Sequence, residues 1–173
     1  MNEFVFSGSD LTESEIKELV AAIKESPGFT DYTIEELREY NQNNKVIGLR
    51  CSGEICGIAT VEHIDEDWAE ISTIIVLPKH QGKGLGKKLW QKALKKLSGK
   101  NVFAMAFNPV TKYGLALKTG FEKRHFFQLP FVIQFFFVVQ KFRLHKITGF
   151  FSKKGLKLAN LDFFTRLHRR KGF

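Results

Sequence analysis

Cysteine is scarce in this 173-residue chain, which has two, Cys51 and Cys56. They flank Ser52-Gly53-Glu54-Ile55, which reads as a hairpin turn. Without a secretory leader the pair is expected as two reduced, half-buried thiols rather than a disulfide. No second Cys or His pair has zinc-site spacing, so no metal is expected. Long apolar runs are also missing. The most apolar stretch, Phe131 to Val139, is interrupted by Gln134 and is far shorter than the ~20 residues of a membrane-spanning helix. Residues 1–9 lack a basic stretch followed by a long apolar one, which argues against a signal peptide and for a cytoplasmic protein. Internal repeats and low-complexity linkers are absent from the sequence. A hydrophobic share of 43% and a charged share of 26% are ordinary for a globular chain and argue against disorder.

What is present is unevenly spread. The net charge is +9. Residues Phe121 to Phe173 hold 12 Lys/Arg against 2 Asp/Glu, a balance of +10, so residues 1–120 carry 9 − 10 = −1. That same stretch contains 13 of the 18 phenylalanines. The chain reads as a nearly neutral body, 1–143, with a basic, Phe-rich extension, 144–173, packed on it.

Periodicity and punctuation give the elements. Phe4-Val5-Phe6 is a short strand. Thr12 to Lys24 is a helix opened by a Thr12/Glu15 capping box, with Ile16, Leu19, Val20 and Ile23 at helical spacing. Thr33 and Glu36 open a second helix carrying Ile34, Leu37 and Tyr40. Lys45–Cys51 and Ile55–His63 form a hairpin, and Trp68–Leu77 is a long strand rich in β-branched residues. A glycine-rich turn leads into a helix from Leu85 to Leu97, with Gly99 past its end. A strand at 101–107, a helix at Val110–Lys118 ended by Gly120, strands at Phe121–Gln128 and Phe131–Arg143, a loop at Gly149–Lys154 and a last helix at Leu156–Arg170 complete the expectation. The order defines an α+β, or mixed α/β, single domain: a central mixed, mostly antiparallel sheet flanked by helices.

The chemistry concentrates in Gln81-Gly82-Lys83-Gly84-Leu85-Gly86-Lys87, between strand and helix. Three glycines allow a tight turn and remove side chains that would bar a ligand from the amides. The first helical N–H groups lack internal partners, and the helix dipole adds to their attraction for anions. Lys83 and Lys87 add charge, so a pyrophosphate is the natural guest. The spacing is not that of a Walker A loop, and it fits the Rossmann fingerprint poorly.

Read from Val76-Leu77-Pro78 through Gln81-Gly82-Lys83-Gly84-Leu85-Gly86, the segment resembles the Q/R-x-x-G-x-G/A signature of the GNAT superfamily of N-acetyltransferases. A helix ending in Gly120-Phe121 is similar to a second signature, and the element order agrees over roughly residues 2–142. The resemblance implies acetyl-CoA as acyl donor. The amides of Gly82, Lys83, Gly84, Leu85, Gly86 and Lys87 would hold its pyrophosphate beside Gln81, and the main chain of Ile75 and Val76 would pair with pantetheine. Asn108 falls one residue from a family asparagine that bonds the same arm. Equally, it forms an ordinary Asn-Pro turn.

Amine acetylation needs a neutral amine, a stabilised oxyanion and a proton for the leaving thiolate. Glu70, in an Ala-Glu-Ile setting 11 residues before Gln81, resembles the general base of the histone-acetyltransferase branch; alternatively it solvates a strand end. The family's usual acid, a tyrosine, is replaced by Ala116. Tyr113, one turn back, either substitutes as acid or packs in the core. His63 and His80 read as surface or loop histidines.

Glu13, Glu15, Glu18, Glu25, Asp31, Glu35, Glu36 and Glu39 suggest an acidic lip for a cationic amine, against an ordinary solvated helix face. The acceptor is a small molecule or peptide amine. A homodimer is an open arrangement, and the basic extension admits nucleic acid or an anionic surface as partner. Two other functions stay open: a non-catalytic CoA- or RNA-binding module, and an enzyme acetylating aminoacyl-tRNA.

Overall fold

The computed structural model describes residues 3–7, 10–26, 32–106, 108–141 and 162–168. Seven strands pair in the order β1-β2-β3-β4-β5-β7-β6. The strands are β1 (Glu3–Ser7), β2 (Val46–Cys51), β3 (Glu54–His63), β4 (Trp68–Val76), β5 (Asn101–Ala106), β6 (Glu122–Arg124) and β7 (Asp162–Arg166). The sheet is mixed: β1–β2, β2–β3, β5–β7 and β6–β7 are antiparallel, whereas β4–β5 is parallel. The α-helices among the described residues are α1 (Glu13–Glu25), α2 (Ile34–Gln42), α3 (Leu85–Lys96) and α4 (Phe131–Lys141). The mixed α/β class expected from the sequence is the one observed.

Two compact units make up the chain, Met1–Val61 with Ser72–Lys95, and Glu62–Ile71 with Lys96–Phe173. In the first, both expected capping boxes are formed. Thr12 N–H donates to Glu15 Oε2 at 2.8 Å, and Glu15 N–H donates back to Thr12 Oγ1 at 3.3 Å. Thr33 and Glu36 repeat the exchange at 3.0 and 3.1 Å. Each box satisfies two otherwise orphaned groups and fixes where its helix begins. Ile16, Leu19, Val20 and Ile23 of α1 then bury with Leu37 of α2 and with Val46, Ile55 and Ile58 of the hairpin. Each such side chain contributes about 1.5–3 kcal/mol by leaving water. Tyr32 satisfies its hydroxyl on Thr60 Oγ1 at 3.0 Å.

The hairpin corrects one expectation. Cys51 and Cys56 are joined as a disulfide, with Cα atoms 6.1 Å apart, and both are buried. The register shifts between Leu49 and Arg50, so Leu49 faces Gly57 while Arg50 faces Ile55. Cys56 is the extra residue of this β-bulge, and the local twist carries it towards Cys51.

The second unit departs further from the sequence reading. Phe131–Arg143, expected as a strand, is the helix α4 over Phe131–Lys141, and its residues 142–143 lie outside the described residues. Pro130 stands immediately before it and accepts from the Ile133 and Gln134 amides, as a residue opening a helix does. A short run broken only by Gln134, with apolar residues on both faces, carries no clear period that separates strand from helix. Phe121–Gln128 shortens to β6 plus a 3-10 turn at Phe126–Gln128. The helix expected at Val110–Lys118 is π-helical over Val110–Ala116 and 3-10 over Leu117–Thr119, closing on Gly120 with φ +81°. Asp162–Arg166, within the helix expected at 156–170, is the strand β7, hydrogen-bonded between β5 and β6. The loop expected at 149–154, and residues 156–161 and 169–170 of that helix, lie outside the described residues. Trp68, Phe103, Leu129 and Ile133 form this unit's core, with Met105, Phe126, Val132 and Phe163 packed against it.

Candidate active site

In the first unit, β4 leads into the glycine turn. Leu77, buried at its end, donates its N–H to the Cys56 carbonyl at 2.9 Å, and Pro78–His80 forms one 3-10 turn. The Gln81 side-chain amide then reaches back to the Val76 carbonyl at 3.0 Å. This bond ties the turn to the strand that precedes it. Gly82 and Gly84 have φ of +76° and +75°, a region that favours glycine, and a Cβ on either would meet nothing within 4 Å. Backbone conformation therefore requires these two glycines, and the space beside them is open. The Gly84 carbonyl accepts from the Lys87 and Lys88 amides at 3.1 and 3.3 Å, which starts α3. The first turn of α3 contains no acid. Its dipole and the Lys87 and Lys88 charges therefore reinforce one another towards an anion. Leu85, Leu89, Trp90 and Ala93 bury the opposite side of the helix and hold its start in place.

Gly57 shapes the strand itself. A Cβ there would lie 2.3 Å from the Ile75 carbonyl oxygen and 3.0 Å from Val76 Cα. The Ile75 carbonyl thus faces β3, and the Val76 carbonyl faces Gln81. Just beyond, His80 is half-buried, and neither ring nitrogen has a hydrogen-bond partner among the described residues. It is more enclosed than the surface or loop position expected; His63 is exposed at the end of β3.

In the second unit, Glu70 is 1% exposed, so it is not a solvated strand end. Its register partner on the parallel strand β5 is Phe103. Strand alternation puts Glu70 and Trp68 on one face of β4 and Ile71 on the other. Tyr113 is 62% exposed, which excludes the core-packing alternative, while Ala116 is fully buried. Asn108 accepts the Thr111 amide on Oδ1 at 2.7 Å and the Lys112 amide on its carbonyl at 3.1 Å. It caps the π-helical segment, as an Asn-Pro turn does.

One ion cluster escaped the sequence reading. Asp162, one of only two acids after Gly120, accepts from Lys112 at 2.7 Å and Lys123 at 2.6 Å. Burial works to raise the Asp162 carboxyl, but the hydrogen bonds and charges of the two lysines outweigh it and hold the carboxyl below its ordinary value. The hydrogen bond to Asp162 in turn raises Lys123 against desolvation, with smaller contributions from the Asp162 and Tyr113 charges. A lone acid among many cations was the available signal.

The acids of α1 and α2 are largely committed to structure. Glu13 pairs with Arg38 at 2.7 Å, and Glu18 lies 3.5 Å from Lys79. Glu15 pairs with Arg50, which also donates to the Asp10 carbonyl at 2.9 Å. Glu15 and Glu36 serve the capping boxes. Glu25, Glu35 and Glu39 are exposed, and Asp31 lies outside the described residues.

The acetyltransferase (GNAT) family model matches residues 13–114, which span α1 to the π-helical segment and contain the whole glycine turn. The chain belongs to this family. Its fold is similar to that of N-acetylglutamate synthase from Neisseria gonorrhoeae, solved with coenzyme A and N-acetyl-glutamate, at TM-score 0.71 and 17% identity; the match covers 98% of this chain and 36% of that one. The chain thus spans about a third of that enzyme's length. Rv2747 from Mycobacterium tuberculosis, in complex with CoA, matches at TM-score 0.68 and 15% identity over 95% of this chain and 98% of its own. A GNAT family acetyltransferase from Elizabethkingia anophelis with acetyl-CoA bound matches at TM-score 0.54 and 21% identity, over 72% and 78% of the two chains. No curated protein sequence matches the chain.

Proposed function

We propose that the protein is an acyl-CoA-dependent N-acetyltransferase that moves an acetyl group from acetyl-CoA to a primary amine. The observation that carries this reading is the glycine turn. Two positive-φ glycines, open space beside them and an acid-free, lysine-bearing helix start occur inside the family match, and family neighbours are crystallised with CoA or acetyl-CoA. The residues present fit a nucleotide diphosphate: the main-chain N–H groups from Gly82 to Lys87 would hold it, with Gln81 fixing the turn, Ile75 and Val76 along the pantetheine arm, and Asn108 as a further contact. Acetyl-CoA supplies the activated thioester.

The chain's own side chains then manage protons. Glu70, enclosed in β4, accepts the proton released as the amine's C–N bond forms. Tyr113 donates one to the thiolate as the C–S bond breaks, or solvent does so in its place. The acceptor is a small molecule or peptide amine. One observation favours a second reading, a CoA-binding module without turnover: a buried alanine, Ala116, stands where the family carries its tyrosine acid.

A screen that follows thiol release from acetyl-CoA with small amines, peptides and aminoacyl-tRNA in parallel separates the two. Amine-dependent release supports the enzyme. Tight CoA binding with no release above the amine-free rate, for any acceptor, supports the module.

A further inference from the structure

The aromatic surplus of the C-terminal third is not absorbed by the proposed acetyl-transfer site, and part of it lies at the surface of α4. Ile133 of α4 is fully buried against Leu129, and Phe137 packs on Phe126 and Phe163 at centroid distances of 5.6 Å each. That is the inward face. Phe131, Phe135, Val138 and Val139 recur at i, i+4, i+7 and i+8 and are exposed, the two phenylalanines at 79% and 60%. At ~100° per residue these four side chains fill one arc of about 100°. Phe127, in the preceding 3-10 turn, is also exposed. A helix whose outward arc is wholly apolar carries an interaction surface.

We propose that the outward face of α4 docks on an anionic lipid bilayer, lying in the interface with Phe131, Phe135, Val138 and Val139 among the acyl chains. Among the described residues the helix has 11 residues, too few to span a membrane, so the proposed mode is docking on the surface. Charge decides the partner. The sequence from Phe121 onward carries +10, with Lys141, Arg143 and Lys146 following the arc closely along the chain, which attracts an anionic surface and opposes a second copy of the same chain. The arc itself holds two phenyl and two isopropyl groups and no cation. An RNA-stacking platform interleaves aromatic rings with cations, so this composition suits hydrocarbon better.

The test is co-sedimentation of the full chain with vesicles of phosphatidylcholine, and of an equal mixture of phosphatidylcholine and phosphatidylglycerol. The protein is expected to sediment with the mixed vesicles, less with the neutral ones, and to be released by high salt. The double variant Phe131→Glu, Phe135→Glu should partition about tenfold less or weaker still, with unchanged melting temperature and acetyl-CoA turnover. Because both positions are exposed, the fold should tolerate them; as an independent readout, Phe131→Trp should shift its emission to the blue on adding mixed vesicles. Absence of binding to mixed vesicles, or binding that ignores the double variant, overturns the proposal. A dimer, or RNA binding, that the double variant abolishes while vesicle binding is absent also overturns it, in favour of that partner.

Discussion

Gly57→Ala tests how β4 is held. The added Cβ would lie 2.3 Å from the Ile75 carbonyl oxygen and 3.0 Å from Val76 Cα. Both are main-chain atoms of β4, so no rotamer change relieves the contact, and the strand itself must shift. Overpacking of this kind costs about 1–3 kcal/mol. In a chain of this size that lowers Tm by roughly 2–12 °C. Because Ile75 and Val76 run directly into the glycine turn, CoA affinity should fall as well. Gly48→Ala is the control: the nearest atoms to its Cβ would be those of the Phe6 ring, at 2.0–2.6 Å, a side chain that can shift at some cost to core packing without moving β4. It should lower Tm while leaving CoA affinity intact. Scanning calorimetry reads the first quantity and isothermal titration with CoA the second. A Gly57→Ala protein that melts with the wild type and binds CoA equally well would refute the reasoning, since the strand would then have room that the structure denies it.

Gly84→Glu adds a negative side chain at a φ of +75° beside the proposed diphosphate. Titration should show CoA binding weakened by more than about 100-fold, from like-charge repulsion and blocked space; unchanged affinity removes the turn from the donor site. Glu70→Gln should lower kcat by about 10²–10⁴-fold while CoA affinity stays nearly constant, and an unaltered rate from acid to alkaline pH would remove Glu70 as base. Stability should fall with acid. Glu15 is lowered despite the opposing effect of burial, because Arg50 and Thr12 hydrogen-bond its carboxylate; Asp162 is lowered in the same way by Lys112 and Lys123. Both carboxylates therefore stabilise the fold fully above their ordinary values of 4.5 and 3.8, and that contribution is lost as pH falls through the lowered native values. Urea midpoints should drop across this acid range, and less steeply in Asp162→Asn; identical slopes would show that the Lys112–Asp162–Lys123 cluster contributes nothing.

The parts of the fold written in local chemistry were legible in the sequence. Thr12/Glu15 and Thr33/Glu36 announce their helices because a capping box involves only residues three apart. The glycine turn is legible for the same reason, since its positive φ values demand glycine whatever the rest of the chain does. Glu70 stands out by its place before the turn, but its burial depends on the β5 register, which no local pattern states. The C-terminal part was misread because its secondary structure is set by tertiary partners. Phe131–Val139, broken only by Gln134, carries apolar residues on both faces of a would-be strand, so only Pro130 hinted at a helix start. Residues 162–167 have the Phe163, Phe164, Leu167 spacing of an amphipathic helix, yet two neighbouring strands and the two lysines on Asp162 hold Asp162–Arg166 extended. The cysteines read as free thiols on redox-compartment grounds, and the β-bulge beside them, which depends on the pairing of β2 with β3, is not a local signal.

A crystal structure of the protein soaked with coenzyme A tests the central claim most directly. Pyrophosphate oxygens are expected within hydrogen-bonding distance of the main-chain nitrogens between Gly82 and Lys87, at the start of α3. Coenzyme bound elsewhere, with those nitrogens facing only solvent, would contradict it.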